Sequence, residues 1–184
     1  MFALLFDPSA GAAGDMIMAS LLDLGADEKR VRKAVESVGC TLEVSRQEKG
    51  HISATRAQVI SDRRYHSLEE AVSILEGSSL QEKALKWALA ALDILADAES
   101  RVHDVPKSRA HFHEVGALDA LADIAGSCEA ASSLKADRIL SRPVSVGGGY
   151  VQSAHGLLPV PGPAALEILR AHNIPWIGGP VDDE

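Results

Sequence analysis

The sequence predicts an α/β fold, a mixed sheet with helices packed on it and a small β-hairpin inserted. Three observations carry this. An uninterrupted apolar run over residues 2–6 is cut off by Asp7-Pro8, as for a strand buried on both faces. Residues 40–60 show period-two alternation, with Leu42 and Val44 set against Thr41, Glu43 and Ser45. Between and after them, apolar residues recur with helical spacing.

In order, the strand leads into the small-residue loop Ser9-Ala10-Gly11-Ala12-Ala13-Gly14-Asp15, and a helix over 16–24 ends at Gly25. Asp27 caps a second helix running to Val38. In the hairpin, the polar run 46–50 is expected to break the alternation, with His51 on the surface near the turn. Residues 62–66 read as a charged loop holding a solvated His66. Ser67-Leu68-Glu69-Glu70 is a capping box that opens a short helix ending at Gly77. A second box, Ser79-Leu80-Gln81-Glu82, opens the longest helix, to about residue 102. Its expected core stripe is Leu85, Leu89, Leu92 and Leu95, widened by Trp87 and Ile94. After a linker over 105–109, the helical period resumes at Leu118. Residues 137–146 read as one strand interrupted by Pro143, an edge or a bulge. The segment 155–164 reads as a stiff loop, and Pro163 starts the last helix, with His172 at its C-terminal, dipole-favoured end. Residues 1–184 are expected to form a single N-terminal domain of a longer protein, with a small subdomain over 40–104. The acidic, turn-like end at 178–184 suggests that the architecture is not closed there.

Composition narrows the function classes. The 184 residues carry a formal net charge of −8, which speaks against sequence-independent nucleic-acid binding. No window is apolar for long enough to span a bilayer, and the short N-terminal run lacks a basic flank, so a cytoplasmic protein is expected. With aromatics at 4%, the core must rest on Leu, Ala, Val and Ile. Cys40 and Cys128 lie too far apart in sequence for a zinc ribbon and read as small buried hydrophobes.

The chemistry concentrates in His111-Phe112-His113-Glu114-Val115-Gly116-Ala117-Leu118-Asp119-Ala120-Leu121-Ala122-Asp123. Imidazole and carboxylate together suit borderline divalent metals. In an extended segment His111 and His113 share one side, with Phe112 opposite. Asp119 and Asp123 are one helical turn apart, so they repel unless something positive lies between them. A satisfied structural cluster is the alternative. The loop Ser9–Gly14 before a helix N-terminus outlines an anion cradle, though no Walker Lys-Ser/Thr follows; the plainer reading is a tight turn with Asp15 as a cap or first-turn acid. Asp7 sits at the end of the first strand, where open α/β sheets place ligands. His155, beside glycine in a stiff loop, is a candidate ligand or acid/base.

Asp7 to Met16, HFHEVGALDALAD at 111–123 and His155-Gly156-Leu157-Leu158-Pro159-Val160-Pro161 occur in one order along the chain. Together they resemble the signature blocks of the LarC family, the nickel insertion proteins that complete the nickel-pincer cofactor of lactate racemase. The resemblance covers the N-terminal half of that family. It implies a nickel chelatase (a cyclometallase of the lyase class) that inserts Ni²⁺ into pyridinium-3,5-bisthiocarboxylic acid mononucleotide, using CTP and helped by Mn²⁺ or Mg²⁺. CTP would act through the family's C-terminal half, which is then a partner; self-association is left open. On this reading the candidate ligands are Asp7, Asp15, His111, His113 and Asp123. The candidate catalytic groups are Glu114, Asp119 and His155, with His113 also considered as the base. Ser9, Gly11 and Gly14 are the candidates for holding the mononucleotide phosphate. A metal-dependent hydrolase using metal-bound water, and a non-catalytic nickel carrier or storage protein, are the alternatives.

Overall fold

The structure is a computed structural model, and it describes residues 2–109, 117–153 and 156–179. The fold is α/β. Two compact units are distinct: Met1–Ala12, Asp93–Glu114 and Ala136–Glu184 make the first, and Ala13–Leu92 with Val115–Lys135 the second. Among the described residues the strands form four two-stranded sheets, two parallel and two antiparallel.

The second unit is built on three helices: α1 (Gly14–Asp23), α2 (Glu28–Ser37) and α5 (Leu118–Ser133), with α5 packed against both others. Helical spacing decides which faces are buried. In α2 these are Val31, Ala34 and Val35, and in α5 Leu118, Leu121, Ala122 and Ala125. Gly126 lets the three helices approach: a Cβ there would lie 2.8 Å from the Met18 side chain and 3.0 Å from Val35. The caps form as local chemistry dictates. Asp27 accepts from the Arg30 amide at 3.2 Å, and Ser67 accepts from the Glu70 amide at 3.1 Å at the head of α3 (Leu68–Glu76). Glu70 completes that end by accepting from the His66 amide at 2.8 Å.

The hairpin pairs β2 (Thr41–Lys49) with β3 (Ile52–Ile60) in unbroken register from Thr41↔Ile60 to Lys49↔Ile52. The polar run 46–49 therefore does not break the strand, contrary to expectation. Gly50 and His51 both have positive φ, as a two-residue type I′ turn requires, and this sets the register from the turn inward. Leu42 and Ala57 bury the inner face, while Arg46 and Thr55 are tied to Asp23 at 2.5 and 2.6 Å.

Helix α4 (Glu82–His103) starts where the second capping motif places it, but not by that mechanism. Ser79 Oγ donates to the Lys33 carbonyl at 3.1 Å, and the Gln81 amide donates to Glu129 of α5 at 3.0 Å. A distant carboxylate does the capping. The buried ridge of α4 is Ala84, Ala88, Leu92 and Ala96, at i, i+4 spacing. The expected leucine stripe is only half-buried apart from Leu92, and Lys83 stacks over the half-buried Trp87 ring at 4.7 Å.

In the first unit, β1 (Ala3–Phe6) pairs parallel with β4 (Arg138–Ser141), and β5 (Val144–Ser145) pairs parallel with β8 (Trp176–Ile177). The single strand expected over 137–146 is thus two, parted at Arg142-Pro143. The hairpin β6 (Tyr150–Ser153) and β7 (Gly156–Pro159) occupies part of the expected stiff loop. Helix α6 (Pro163–Ala171) begins on its proline. Lys107 bridges Asp93 and Asp97 of α4 at 2.6 and 2.8 Å. Glu167 accepts from Arg170 and Arg101 at 2.8 and 2.9 Å, and these guanidiniums hold its carboxyl down to about 2. Among the described residues no helix is long and apolar enough to cross a membrane.

Candidate functional site

Helices α1 and α5 bring three carboxylates of the second unit within electrostatic reach of one another. Asp15 lies in the first turn of α1 and accepts from the Met16 amide at 2.7 Å. Asp119 lies in the first turn of α5 and accepts from the Ala120 amide at 2.7 Å. The start of α5 is fixed from outside the helix, by the Leu118 amide donating to the Arg63 carbonyl at 3.0 Å and by a bridge between Arg64 and Ala117.

Asp123 is set one turn further along α5 and lies on the backbone of Gly14. A Cβ at Gly14 would stand 2.5 Å from the Asp123 Cβ and 2.8 Å from its Oδ2. Ser127 Oγ strengthens this junction by donating to the Gly14 carbonyl at 3.2 Å. The other oxygen of Asp123, Oδ1, is buried and has no hydrogen-bond partner. Burial first, then the charges of Asp15 and Asp119, push the Asp123 carboxyl up to about 7. An unpaired buried acceptor among like charges calls for a cation or a proton. Gly14→Ala is therefore expected to destabilise the chain by about 1–3 kcal/mol, the usual range for overpacking. Urea denaturation checks this, and an unchanged midpoint would show that Gly14 and Asp123 do not touch.

The remaining residues expected at the site fall in three groups. Asp7 belongs to the first unit and ion-pairs with Arg142 at 3.3 Å. Ser9 and Gly11 lie in a tight turn of that unit, in which the Gly11 amide donates to the Pro8 carbonyl at 3.2 Å and Gly11 has φ +89. His111, His113, Glu114 and His155 lie outside the described residues. Among the described residues, no three His, Cys, Asp or Glu side chains stand in a metal-holding arrangement. Asp15, Asp119 and Asp123 sense one another without converging on one point.

Cys40 is buried, as the sequence leads one to expect, and Cys128 is half-buried, whereas Glu129 was passed over. Cys40 is buried beside the start of α5, its Sγ donating to the Leu118 carbonyl at 3.5 Å. Burial pushes its thiol up, and burial pushes that of Cys128 up to about 12, so neither offers a thiolate at neutral pH. Glu129 is 1% exposed and pairs with Arg30 at 2.6 Å. A lone acid in the small-residue run Gly126-Ser127-Cys128-Glu129-Ala130-Ala131 was the available signal.

The fold and this cluster define an α/β protein whose most distinctive chemistry, among the described residues, is a set of three neighbouring carboxylates, one of them with a buried, unpartnered oxygen. A family model described as "Nickel insertion protein" matches residues 4–184, and the chain belongs to the nickel insertion protein family. It is 60% identical over its whole length to a candidate nickel insertion protein of Methanothrix thermoacetophila, covering 47% of that protein. It is 44% identical to one from Methanococcoides burtonii and 39% identical to one from Dictyoglomus thermophilum, covering 95% and 92% of this chain and 45% of each relative. The chain thus spans about half the length of the relatives it matches. No solved structure matches it.

Proposed function

We propose that this chain forms the nickel-handling half of a chelatase that inserts Ni²⁺ into pyridinium-3,5-bisthiocarboxylic acid mononucleotide. Family membership supports the nickel role. The observation that carries the site is Asp123, with a buried, unpartnered oxygen beside two further carboxylates. Hard oxygen donors suit Mn²⁺ or Mg²⁺, and oxygen with imidazole from His111 and His113 suits Ni²⁺ that must later be released. In this reading Ni²⁺ is substrate. Asp7, Asp15, His111, His113 and Asp123 are its proposed ligands.

Forming a nickel–carbon bond on the pyridinium ring breaks a C–H bond, so the departing proton needs a base. Glu114, Asp119 or His155 takes it. Ser9, Gly11 and Gly14 are assigned to the mononucleotide phosphate. Gly14 opens α1 beside Asp15 and Asp123, so a phosphate near it would share a divalent cation with those carboxylates. CTP is assigned to the second half of the full-length protein, and the compartment is proposed to be the cytoplasm.

Titration of the chain with Ni²⁺ and with Mn²⁺ tests the metal assignment. His111→Ala/His113→Ala is expected to lower Ni²⁺ affinity at least about tenfold, within the range that loss of metal-site partners produces, with a smaller effect on Mn²⁺. Unchanged Ni²⁺ affinity and stoichiometry would remove the two histidines from the site.

A further inference from the structure

The two units differ sharply in what they bury. Of the buried apolar residues among those described, only Leu4, Ala96, Ala98 and Leu169 belong to the first unit. That unit instead holds most of the exposed large apolar side chains. On the β1–β4 pair, Leu5 and Leu140 are register partners and are 56% and 46% exposed. On the β5–β8 pair, Trp176 and Ile177 are 47% and 57% exposed. Parallel strands are normally covered on both faces, and a two-stranded sheet is marginal by itself. Among the described residues each of these strands pairs with one other strand, and because the Ser145 amide of β5 also donates to the Pro8 carbonyl at 3.1 Å, the edges that stay open beside the open faces are the outer ones of β4 and β8.

We infer that the faces and edges of β1–β4 and β5–β8 are the docking surface for the second half of the full-length polypeptide. The occupant follows from chain length. The relatives are about twice as long and match this chain through their N-terminal half, so an equal length of chain remains to be placed in them. The described strand furthest along the chain, β8, lies in this unit. Among the described residues the second unit has a filled core and exposes fewer large apolar side chains, namely Met16, Leu24, Ile52 and Ile60. This inference is independent of the metal assignment, because it concerns apolar faces and strand edges.

Hydrogen exchange tests it, on this chain alone and on the chain joined to the second half of the Methanothrix thermoacetophila relative. Amides of β1, β4, β5 and β8 are expected to exchange about tenfold more slowly or better in the joined protein, because opening then requires undocking, while α2 and α5 exchange alike in both. Leu5→Lys/Leu140→Lys in the joined protein should abolish the added protection with α5 still slow. If that variant unfolds α5, Leu5→Ser/Leu140→Ser replaces it. Equal exchange with and without the second half overturns the inference, and so does full protection in the Lys or Ser variants. Sedimentation of the chain alone as a dimer with these strands already protected would assign the surface to a second copy and overturn it too.

Discussion

Asp123→Asn is expected to raise the stability of the metal-free chain above pH 7 and to abolish its stabilisation by divalent cations. The Asp123 carboxyl stands at about 7 in the folded chain against an ordinary value of 3.8. Between those values the folded state holds a proton that the unfolded state has lost. Wild-type stability should therefore fall as pH rises from about 4 to about 7 and then level off, as linkage requires. Asparagine cannot ionise, so the variant escapes that loss. The whole shift would correspond to about 4 kcal/mol at about 1.4 per unit; with Asp123 only partly buried, screening leaves an expected gain of about 1–2 kcal/mol. Urea denaturation in chelator at pH 5 and pH 8 measures it, and parallel pH slopes for wild type and variant would refute the electrostatic account. Adding Mn²⁺ or Ni²⁺ should stabilise the wild type and leave Asp123→Asn nearly unmoved, because a ligand stabilises only the state that binds it.

The largest loss of stability is expected at Glu129. Its carboxylate accepts from Arg30 Nε at 2.7 Å and from the Gln81 amide at 3.0 Å, joining α5 to α2 and to the start of α4. Glu129→Ala leaves that amide without its cap and Arg30 without its partner. Removing one member of a buried pair costs about 3–5 kcal/mol; Arg30 is a third exposed and can regain water, so about 3 kcal/mol is expected. Glu129→Gln keeps an acceptor for the amide and should lose roughly half as much, since a neutral hydrogen bond is worth about half a charged one. Equal midpoints for Ala and wild type would mean that the pair contributes nothing net.

What the sequence made legible was local. Asp27 and Ser67 cap helices because each needs only an amide three residues on. The end of β1 at Asp7 and the proline start of α6 are equally short-range. What it hid were partners distant along the chain. Ser79 satisfies the written form of a capping box, yet its hydroxyl goes to Lys33 and the helix start goes to Glu129. The alanines of α4 pass as background in a pattern search, but small side chains let a neighbour approach closely, so Ala84, Ala88 and Ala96 join Leu92 in the buried ridge in place of Leu85, Leu89 and Leu95. The polar run of the hairpin looked like a turn because composition masked the two-residue Gly50-His51 turn beside it. At the site, the i, i+4 relation of Asp119 and Asp123 was readable. The arrival of Asp15 and of the bare Gly14 backbone was not, since nothing in the pattern of α1 says which face of α5 it meets.

The division of the chain also gives it two optical labels. Of its two tryptophans, Trp87 belongs to the second unit, half-buried under Lys83, and Trp176 to the first, on the open strand β8. Intrinsic fluorescence therefore separates the units without added dyes: Trp87→Phe leaves a signal from the strand side alone, and Trp176→Phe leaves one from the helical side alone. A blue shift confined to Trp176 would report cover arriving over β8, while metal-induced tightening of α1 and α5 would be read through the unit that holds Trp87.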